Sequence, residues 1–284
     1  MSVQTALIAG TKRLNAAGID GAPRDARLLM AHVLGIAPGR LTLVLPDAIT
    51  AEQAQGFEQA IERRAKREPV SHILGYREFY GRRFSVSADV LDPRPETEVL
   101  IAEALSKPFS SVLDLGVGSG AILLTLLAEQ VLAKGMGTDV SEAALAVARG
   151  NADALGLSSC ARFQQADWWD GVEGQFDLIT SNPPYIAAEE MAALSPELAH
   201  EPRVALTDEA DGLSCYRIIA AQVRAFLAPR GRVLVEIGPT QGAAVSALFL
   251  EQGLKAVRVL SDFDGRDRVV CAQAPNPHPR NSGK

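Results

Sequence analysis

The 284-residue sequence contains little cysteine and little histidine. Its three cysteines, Cys160, Cys215 and Cys271, have no metal-binding or Cys-x-x-Cys spacing, so we expect small buried residues. Four scattered histidines suggest neither a zinc site nor a histidine-based triad, and we expect no metal. The N-terminus lacks a basic segment followed by an apolar stretch, and the most apolar run, residues 121–127, is too short to span a bilayer. These absences predict a cytoplasmic protein with no membrane partner.

The chain also lacks an overall positive charge. Its net charge is −6, which argues against non-specific nucleic-acid binding, because such binding depends on cationic contacts to phosphates. One stretch, from Arg63 to Arg83, is basic, with seven Lys or Arg residues against two Glu. It is either a helix end and hairpin edge kept soluble by charge, or a surface that docks a partner.

The hydrophobic pattern divides the chain into four parts. Residues 1–74 have helical periodicity and predict a small helical bundle, and residues 75–95 predict a β-hairpin linker that ends in prolines. Strands and helices alternate over residues 96–275, which predicts an α/β domain with a mainly parallel sheet. The turn between the last two strands is too short for a crossover helix, so that pair should be antiparallel. The polar tail, residues 276–284, is expected to be disordered.

The predicted strands of the sheet are 112–115, 134–139, 162–166, 176–181, 232–237, 256–260 and 268–272. The predicted helices of this part are 96–105, 120–133, 141–155, 213–227 and 241–252.

A glycine-rich loop predicts a nucleoside site. The first of these strands leads into Gly116-Val117-Gly118-Ser119-Gly120, and glycine lets the backbone turn sharply and approach a ligand. Asp139, at the end of the next strand, can accept hydrogen bonds from both ribose hydroxyls. Gly116, Gly118 and Ala121 also match the dinucleotide pattern, so a nicotinamide dinucleotide stays open from this segment alone.

Asp167 and Trp168 follow the third strand. The carboxylate can accept a hydrogen bond from an exocyclic adenine amine, and the indole can pack on the adenine face. The alternative is an acidic turn residue beside a core tryptophan.

The fourth strand ends in Asn182-Pro183-Pro184-Tyr185. Two prolines stiffen the turn and remove two backbone donors, leaving carbonyl oxygens as acceptors beside the Asn182 side-chain oxygen. These acceptors can orient a planar NH2 group, and the Tyr185 ring can stack on the group that carries it. Adenine, cytosine and glutamine all present such an NH2 group, whereas a dehydrogenase has no use for paired acceptors here.

With these motifs in place, the sequence closely resembles the peptide chain release factor glutamine methyltransferases, the PrmC/HemK family. The resemblance covers about residues 5–273 and includes ILGYREFYGRRFSVSADVLDPRPETEVL, DLGVGSGA, SNPPYI, HEPRVAL, LVEIGPTQG and GRDRVV. It implies a class I S-adenosylmethionine (SAM)-dependent methyltransferase, with a Rossmann-like seven-stranded sheet whose last strand is antiparallel. It also implies methylation of the glutamine side-chain nitrogen in the Gly-Gly-Gln motif of release factors.

The resemblance assigns roles residue by residue. Cofactor contacts fall on the loop from Gly116 to Gly120, on Asp139, on Asp167 with Trp168, and on Asn182. The substrate pocket falls on Asn182, Pro183, Pro184 and Tyr185, of which Asn182, Pro183 and Tyr185 are the candidate catalytic residues. The products are N5-methylglutamine and S-adenosylhomocysteine.

Two departures from the family pattern are visible. Asp92 replaces a usual aliphatic residue, and Asp208-Glu209-Ala210-Asp211-Gly212 replaces a glycine-richer loop. We expect neither to touch a methyl-transfer contact. If the basic stretch docks the release factor, charge reversal at Arg63, Arg64 and Arg67 should slow methylation of the intact factor but spare a short peptide.

Two other functions stay open at this point. An amino-methyltransferase acting on adenine N6 in nucleic acid shares the glycine loop and the Asn-Pro-Pro-Tyr turn, but the acidic charge and the helical N-terminal part oppose it. A non-catalytic SAM-binding module is disfavoured because the site looks complete.

Overall fold

Helices occupy the first part of the computed structural model, which describes residues 1–275; the predicted tail 276–284 lies outside them. These helices are α1 (Val3–Ala16), α2 (Ala22–Val33), α3 (Ala51–Ala65) and α4 (Val70–Leu74), with a 3-10 helix at Pro38–Val44. α3 begins with the predicted capping box, in which Thr50 and Gln53 each accept the other's backbone N–H. Leu14, Leu29 and Ile61 are fully buried between the helices. The predicted helical bundle is therefore present.

By its internal contacts the chain forms two compact units. The first is Met1–Arg77 together with Ser195–His200, and the rest of the described chain forms the second. The sequence-based division places residues 195–200 with the α/β part, whereas the structure groups them with the helices.

Arg64 explains how that segment joins the helical unit. Its side chain is buried, its Nε donates to Asp25 at 2.8 Å, and both of its terminal nitrogens donate to Glu197 Oε1 at 3.1 Å. A buried guanidinium requires such partners, because an unpaired buried charge is costly.

The neighbouring arginines are also bound within this unit. Arg63 donates to Glu68 at 2.8 Å, and Arg67 donates to the carbonyls of Ala17 and Gly18 at 3.0 and 2.9 Å. These bonds support the interpretation of a charged helix end over that of a docking surface for this part of the basic stretch. Charge reversal at Arg63, Arg64 and Arg67 would disturb the helical unit itself, so it cannot test docking as the sequence suggested.

The linker forms the predicted hairpin, in which β1 (Tyr76–Phe79) pairs with β2 (Arg82–Ser85). A 3-10 turn, Pro95–Thr97, then leads into α5 (Glu98–Leu105), so the helix begins two residues later than predicted.

The second unit contains a seven-stranded sheet of order β5-β4-β3-β6-β7-β9-β8. Its strands are β3 (Ser111–Leu115), β4 (Lys134–Asp139), β5 (Ala161–Gln165), β6 (Phe176–Ser181), β7 (Leu227–Glu236), β8 (Lys255–Ser261) and β9 (Asp267–Gln273). The first five run parallel to one another, and β9 is antiparallel to both β7 and β8. The antiparallel pairing of the last two strands is as predicted.

Helices cover both faces of this sheet. They are α6 (Ala121–Glu129), α7 (Glu142–Ala154), α8 (Ser214–Phe226) and α9 (Gly242–Glu251). Strand residues alternate between two cores: Val112 packs with α5, α6 and α7, whereas Leu113 packs with α8 and α9. This is why the central strands β3, β6 and β9 are buried over nearly their whole length.

Two further predicted boundaries were wrong. α6 ends at Glu129 rather than Ala133, because Gln130 leaves helical geometry and the apolar Val131 and Leu132 lie exposed in a turn. β7 begins at Leu227 rather than Arg232 and includes a register shift against β6. Within residues 1–275 no single helix could cross a membrane, and one bent pair, Ala22–Val33 with Pro38–Val44, passes by length and composition alone.

Candidate active site

The predicted site segments meet at the carboxyl edge of the sheet. Leu115, the last residue of β3, is in register with Thr138 of β4 and Ser181 of β6. The glycine loop, Asp139 and Asn182 therefore follow neighbouring strand ends. From β3 the chain builds the sheet first to one side, through β4 and β5, and then to the other side, through β6 and β7. The gap between the ends of β3 and β6 is therefore the topological switch point, where open α/β sheets bind ligands.

Two side-chain hydrogen bonds join the end of β3 to the end of β6. Thr180 Oγ1 donates to Asp114 Oδ1 at 2.7 Å, and Ser181 Oγ donates to the Leu115 carbonyl at 2.8 Å. Both bonds are buried, so they hold the glycine loop and the Asn-Pro-Pro-Tyr turn in a fixed relation.

The glycine loop has the backbone geometry that its sequence predicts. Gly116, Gly118 and Gly120 have φ values of 69°, 52° and 82°, a region that strains other residues. A Cβ at Gly116 or Gly118 would meet no heavy atom of the described chain within 4 Å, so the space beside the loop is open. Val117 N–H donates to the Thr138 carbonyl at 2.8 Å, which anchors the loop to β4.

Asp139 is part of the loop's own framework. Its two carboxylate oxygens accept the backbone N–H groups of Gly118 and Ser141, each at 2.9 Å. Burial raises the pKa of Asp139, and these hydrogen bonds oppose the rise. A carboxylate offers about four acceptor positions, so each oxygen can still accept one ribose hydroxyl.

The Asp167-Trp168 pair lies at the end of β5 beyond Asp139. Asp167 is exposed, and Trp168 is half-buried with a φ of 54°, packed partly against the core of α8 and α9. The next residue, Trp169, is a core residue that stacks on Phe226 at 4.6 Å between ring centroids. Trp168 is therefore packed in part and exposed in part, and its adenine contact stays a prediction.

The Asn-Pro-Pro-Tyr turn contains an unused acceptor. Asn182 Oδ1 is buried, and no hydrogen-bond partner for it exists among residues 1–275. A buried amide oxygen without a partner costs free energy, roughly 1–3 kcal/mol, which a bound donor would recover. Burial and the nearby Glu236 charge raise the pKa of Tyr185 to about 12, so its hydroxyl stays neutral at physiological pH.

Two buried acids at the strand ends were missed by sequence reasoning. Burial raises the pKa of Asp114, two residues before the glycine loop, to about 7. Burial also raises the pKa of Glu236, at the end of β7, to about 7, and Thr97 Oγ1 donates to its carboxyl at 2.6 Å. The signal was available, because each acid directly follows a short apolar run, Val112-Leu113 before Asp114 and Val233-Leu234-Val235 before Glu236.

The 208–212 loop lies against the backbone of the Asn-Pro-Pro-Tyr turn, and whether it affects a methyl-transfer contact stays a prediction. A Cβ on Gly212, whose φ is 75°, would lie 2.5 Å from the Tyr185 carbonyl oxygen. The acidic loop is ordered by Asp208, whose carboxylate accepts the N–H groups of Ala210, Gly212 and Ser214. These bonds let the loop close on the turn without the extra glycines of the family pattern.

The other departure, Asp92, is buried near a strong ion pair. Arg94 donates to Glu201 at 2.6 Å, and the Glu201 side chain is 2% exposed. Burial raises the pKa of Glu201 and Arg94 lowers it, while the Asp92 charge adds to the rise. Within residues 1–275 no cluster of three or more His, Cys, Asp or Glu side chains could hold a metal ion.

Two family models match this chain. The "PrmC N-terminal domain" model matches residues 5–75, and the "Methyltransferase small domain" model matches residues 85–211.

Curated relatives match almost the whole chain. "Release factor glutamine methyltransferase" of Cereibacter sphaeroides is 55% identical over 276 residues, covering 97% of this chain and 99% of the relative. The protein of the same name from Rhodospirillum rubrum is 47% identical, covering 93% of this chain and 82% of the relative.

The solved structure of a methyltransferase from Pyrococcus furiosus shares the fold. It is 17% identical with a TM-score of 0.53, covering 69% of this chain and 90% of the other. The predicted fold, a class I methyltransferase sheet with a helical N-terminal part and a hairpin, is confirmed.

Proposed function

We propose, because the chain belongs to the release factor glutamine methyltransferase family, that it transfers a methyl group from SAM to a glutamine side-chain nitrogen of release factors. The proposed acceptor is the glutamine of the Gly-Gly-Gln motif, and the products are N5-methylglutamine and S-adenosylhomocysteine. The cytoplasmic location stays a prediction.

The buried, unbonded Oδ1 of Asn182 is the observation that carries this proposal. An acceptor of this kind suits an NH2 group, since each N–H can donate to it. Asn182 directly follows β6, which pairs with β3, the strand that leads into the glycine loop. A donor bound to Asn182 Oδ1 would therefore lie beside a nucleoside bound at that loop.

The residues present fit SAM. The open space at Gly116 and Gly118 admits a ligand close to the backbone, and Asp139 keeps free acceptor positions for ribose hydroxyls. Asp167 and Trp168 would hold the adenine by a hydrogen bond and by packing. When bound, SAM supplies an electrophilic methyl group on a sulfonium.

The turn would activate a poor nucleophile. An amide nitrogen is weakly nucleophilic because its lone pair is delocalised into the carbonyl. Asn182 Oδ1 and the Pro183 carbonyl would accept hydrogen bonds from the NH2 group, and the Tyr185 ring would stack on the amide plane. These acceptors become stronger partners as positive charge grows on the nitrogen, so they stabilise the transition state more than the bound substrate. The proton leaves the nitrogen after transfer, and no general base is needed before it.

We also propose that the parts of the chain have different roles. Residues 1–74 would dock the release factor, residues 75–95 would link, and residues 96–275 would carry out transfer. The match of a separate family model to residues 5–75 supports an N-terminal part with its own role.

The direct test is incubation with radiolabelled SAM and purified release factor, nucleic acid or bulk ribosomal protein, followed by mapping of the labelled residue. We expect label on the glutamine of the Gly-Gly-Gln motif, and none on a release factor with Glu in its place. Label on adenine with an unlabelled release factor would replace this function by the nucleic-acid alternative.

Asn182→Ala tests the role of the acceptor. Removing it should lower kcat by about 10- to 150-fold, since a hydrogen bond to a charged group is worth about 1.5–3 kcal/mol. SAM affinity, measured by calorimetry, should stay within a few-fold, and Glu173→Ala, at an exposed position in the loop before β6, is the control. Collapse of SAM affinity with normal transfer from bound SAM would show that the assigned role is wrong.

A further inference from the structure

The Asn-Pro-Pro-Tyr turn has few backbone donors, and the first backbone hydrogen bond after it runs from Ile186 N–H to the Leu206 carbonyl at 3.0 Å. Pro183 and Pro184 have no N–H group, so the turn depends on bonds at its two ends. At its start, Ser181 Oγ donates to the Leu115 carbonyl. At its far end, the partner of the Tyr185 carbonyl is the side chain of Gln241, which is 56 residues later in the sequence.

The Gln241 amide makes hydrogen bonds through both its nitrogen and its oxygen. Its Nε2 donates to the carbonyls of Tyr185 and Gly212 at 2.9 and 3.0 Å. Its Oε1 accepts from Gly238 N–H at 2.9 Å and lies 3.3 Å from the Tyr216 hydroxyl oxygen. Exchanging the nitrogen and oxygen would set Oε1 against two carbonyl oxygens, so the network permits one orientation.

Glycines on both sides let the backbone approach this amide. A Cβ on Gly212 would lie 2.9 Å from Gln241 Nε2, and a Cβ on Gly238 would lie 3.1 Å from its Oε1. The fully buried Tyr216 packs at the same point, and its hydroxyl donates its single proton to the Glu236 carbonyl at 2.8 Å. Three segments, the turn, the 208–212 loop and the turn before α9, thus converge on one side chain.

We propose that Gln241 is a positioning residue for methyl transfer, which holds the Tyr185 end of the turn so that its acceptors and ring face the substrate amide. This role rests on the proposed function, because the turn is the segment assigned there to the glutamine. Gln241 makes none of its hydrogen bonds with the glycine loop or Asp139, so its loss should affect transfer and not SAM binding.

Gln241→Glu is the decisive variant. It keeps the size of the side chain but replaces the donor by a carboxylate oxygen facing the carbonyls of Tyr185 and Gly212. We expect kcat with release factor to fall on the order of 10- to 100-fold, because small displacements of reacting groups are costly to rate. SAM affinity by calorimetry should stay within about threefold. Gln252→Glu, at the other end of α9, is the matched control and should behave like the unmodified enzyme.

The pH profile separates positioning from a merely structural effect. A protonated carboxyl can donate one hydrogen bond, so the kcat deficit of Gln241→Glu should shrink as the pH is lowered from 8 towards about 5. A deficit that is constant over this range and accompanied by equal loss of SAM affinity would overturn the proposal, and so would full kcat at pH 8. If the proposed function itself is wrong, the unmodified enzyme will leave release factor unlabelled. That result is distinct from a defect seen only in Gln241→Glu.

Discussion

Asp114 is an ionisable residue in the buried strand β3, where its carboxyl accepts a hydrogen bond from the Thr180 hydroxyl. Burial raises its pKa from 3.8 to about 7. Between these values the unfolded chain loses the proton while the folded protein keeps it, so the contribution of Asp114 to stability falls as the pH rises towards 7.

Asp114→Asn should remove this pH dependence. Asparagine keeps the shape and the acceptor for Thr180 but cannot ionise. Relative to the unmodified protein, the free energy of unfolding of the variant should rise by about 1.4 kcal/mol per pH unit between pH 5 and 7 and level off above. Urea unfolding at pH 5, 6, 7 and 8 measures this.

A second aspartate serves as the control for that experiment. Burial alone would raise the pKa of Asp177, but backbone N–H groups of Ser110 and Ser111 hold it below its usual value. It is ionised in both states between pH 5 and 8, so Asp177→Asn should give no slope there. An equal slope in both variants would show that Asp114 is not the source.

At the scale of single elements, β4 shows why glycine is required in a strand. Gly135 and Gly137 point to the same face, and there α6 lies directly against the backbone. A Cβ on Gly135 would lie 2.5 Å from Leu123 Cδ1, and one on Gly137 would lie 2.7 Å from Val117 Cγ2 in the glycine loop. The close approach of α6 therefore depends on two missing side chains, and it also places the loop.

Gly135→Ala should destabilise the protein by about 1–3 kcal/mol, because the added methyl group overfills a tightly packed core. Gly150→Ala is the matched control: Gly150 is exposed in α7, with no atom of the described chain near its Cβ position. Alanine there should stabilise by about 0.5–1 kcal/mol through helix propensity. Thermal unfolding of both variants gives the comparison, and loss of stability in both would contradict the packing explanation.

At the scale of the whole molecule, the chain returns to the helical unit long after leaving it. Glu197 binds Arg64 across 133 residues of sequence, and His200 lies 3.3 Å from the Lys66 carbonyl. Both contacts fall inside the first unit, which contains Ser195–His200. The helical unit is thus completed by a segment from the connection between β6 and α8.

Glu197→Gln should weaken that unit. Arg64 keeps Asp25 as an ion partner, so the cost should be about 1–3 kcal/mol rather than that of a fully unpaired buried charge. Faster hydrogen exchange of α3 amides is the measurement. Glu189→Gln, an exposed glutamate in the same connection, should leave exchange unchanged.

The sequence alone determined the features that depend on local chemistry. Thr50 and Gln53 fix the start of a helix, and apolar runs fix the strands. The glycines at 116–120 and the prolines at 183–184 mark turns that few other residues allow. Since carboxyl ends of parallel strands share an edge, the grouping of Asp139 with Asn182 was predictable as well.

Only the tertiary structure decided the contacts between distant segments. Gln241 meets Tyr185, and Arg64 meets Glu197, because strand order and packing bring those residues together. The pattern of polar and apolar residues tells which face a residue occupies but not which residue it meets there. For the same reason the sequence could not show that Arg63, Arg64 and Arg67 of the basic stretch are bound within the helical unit.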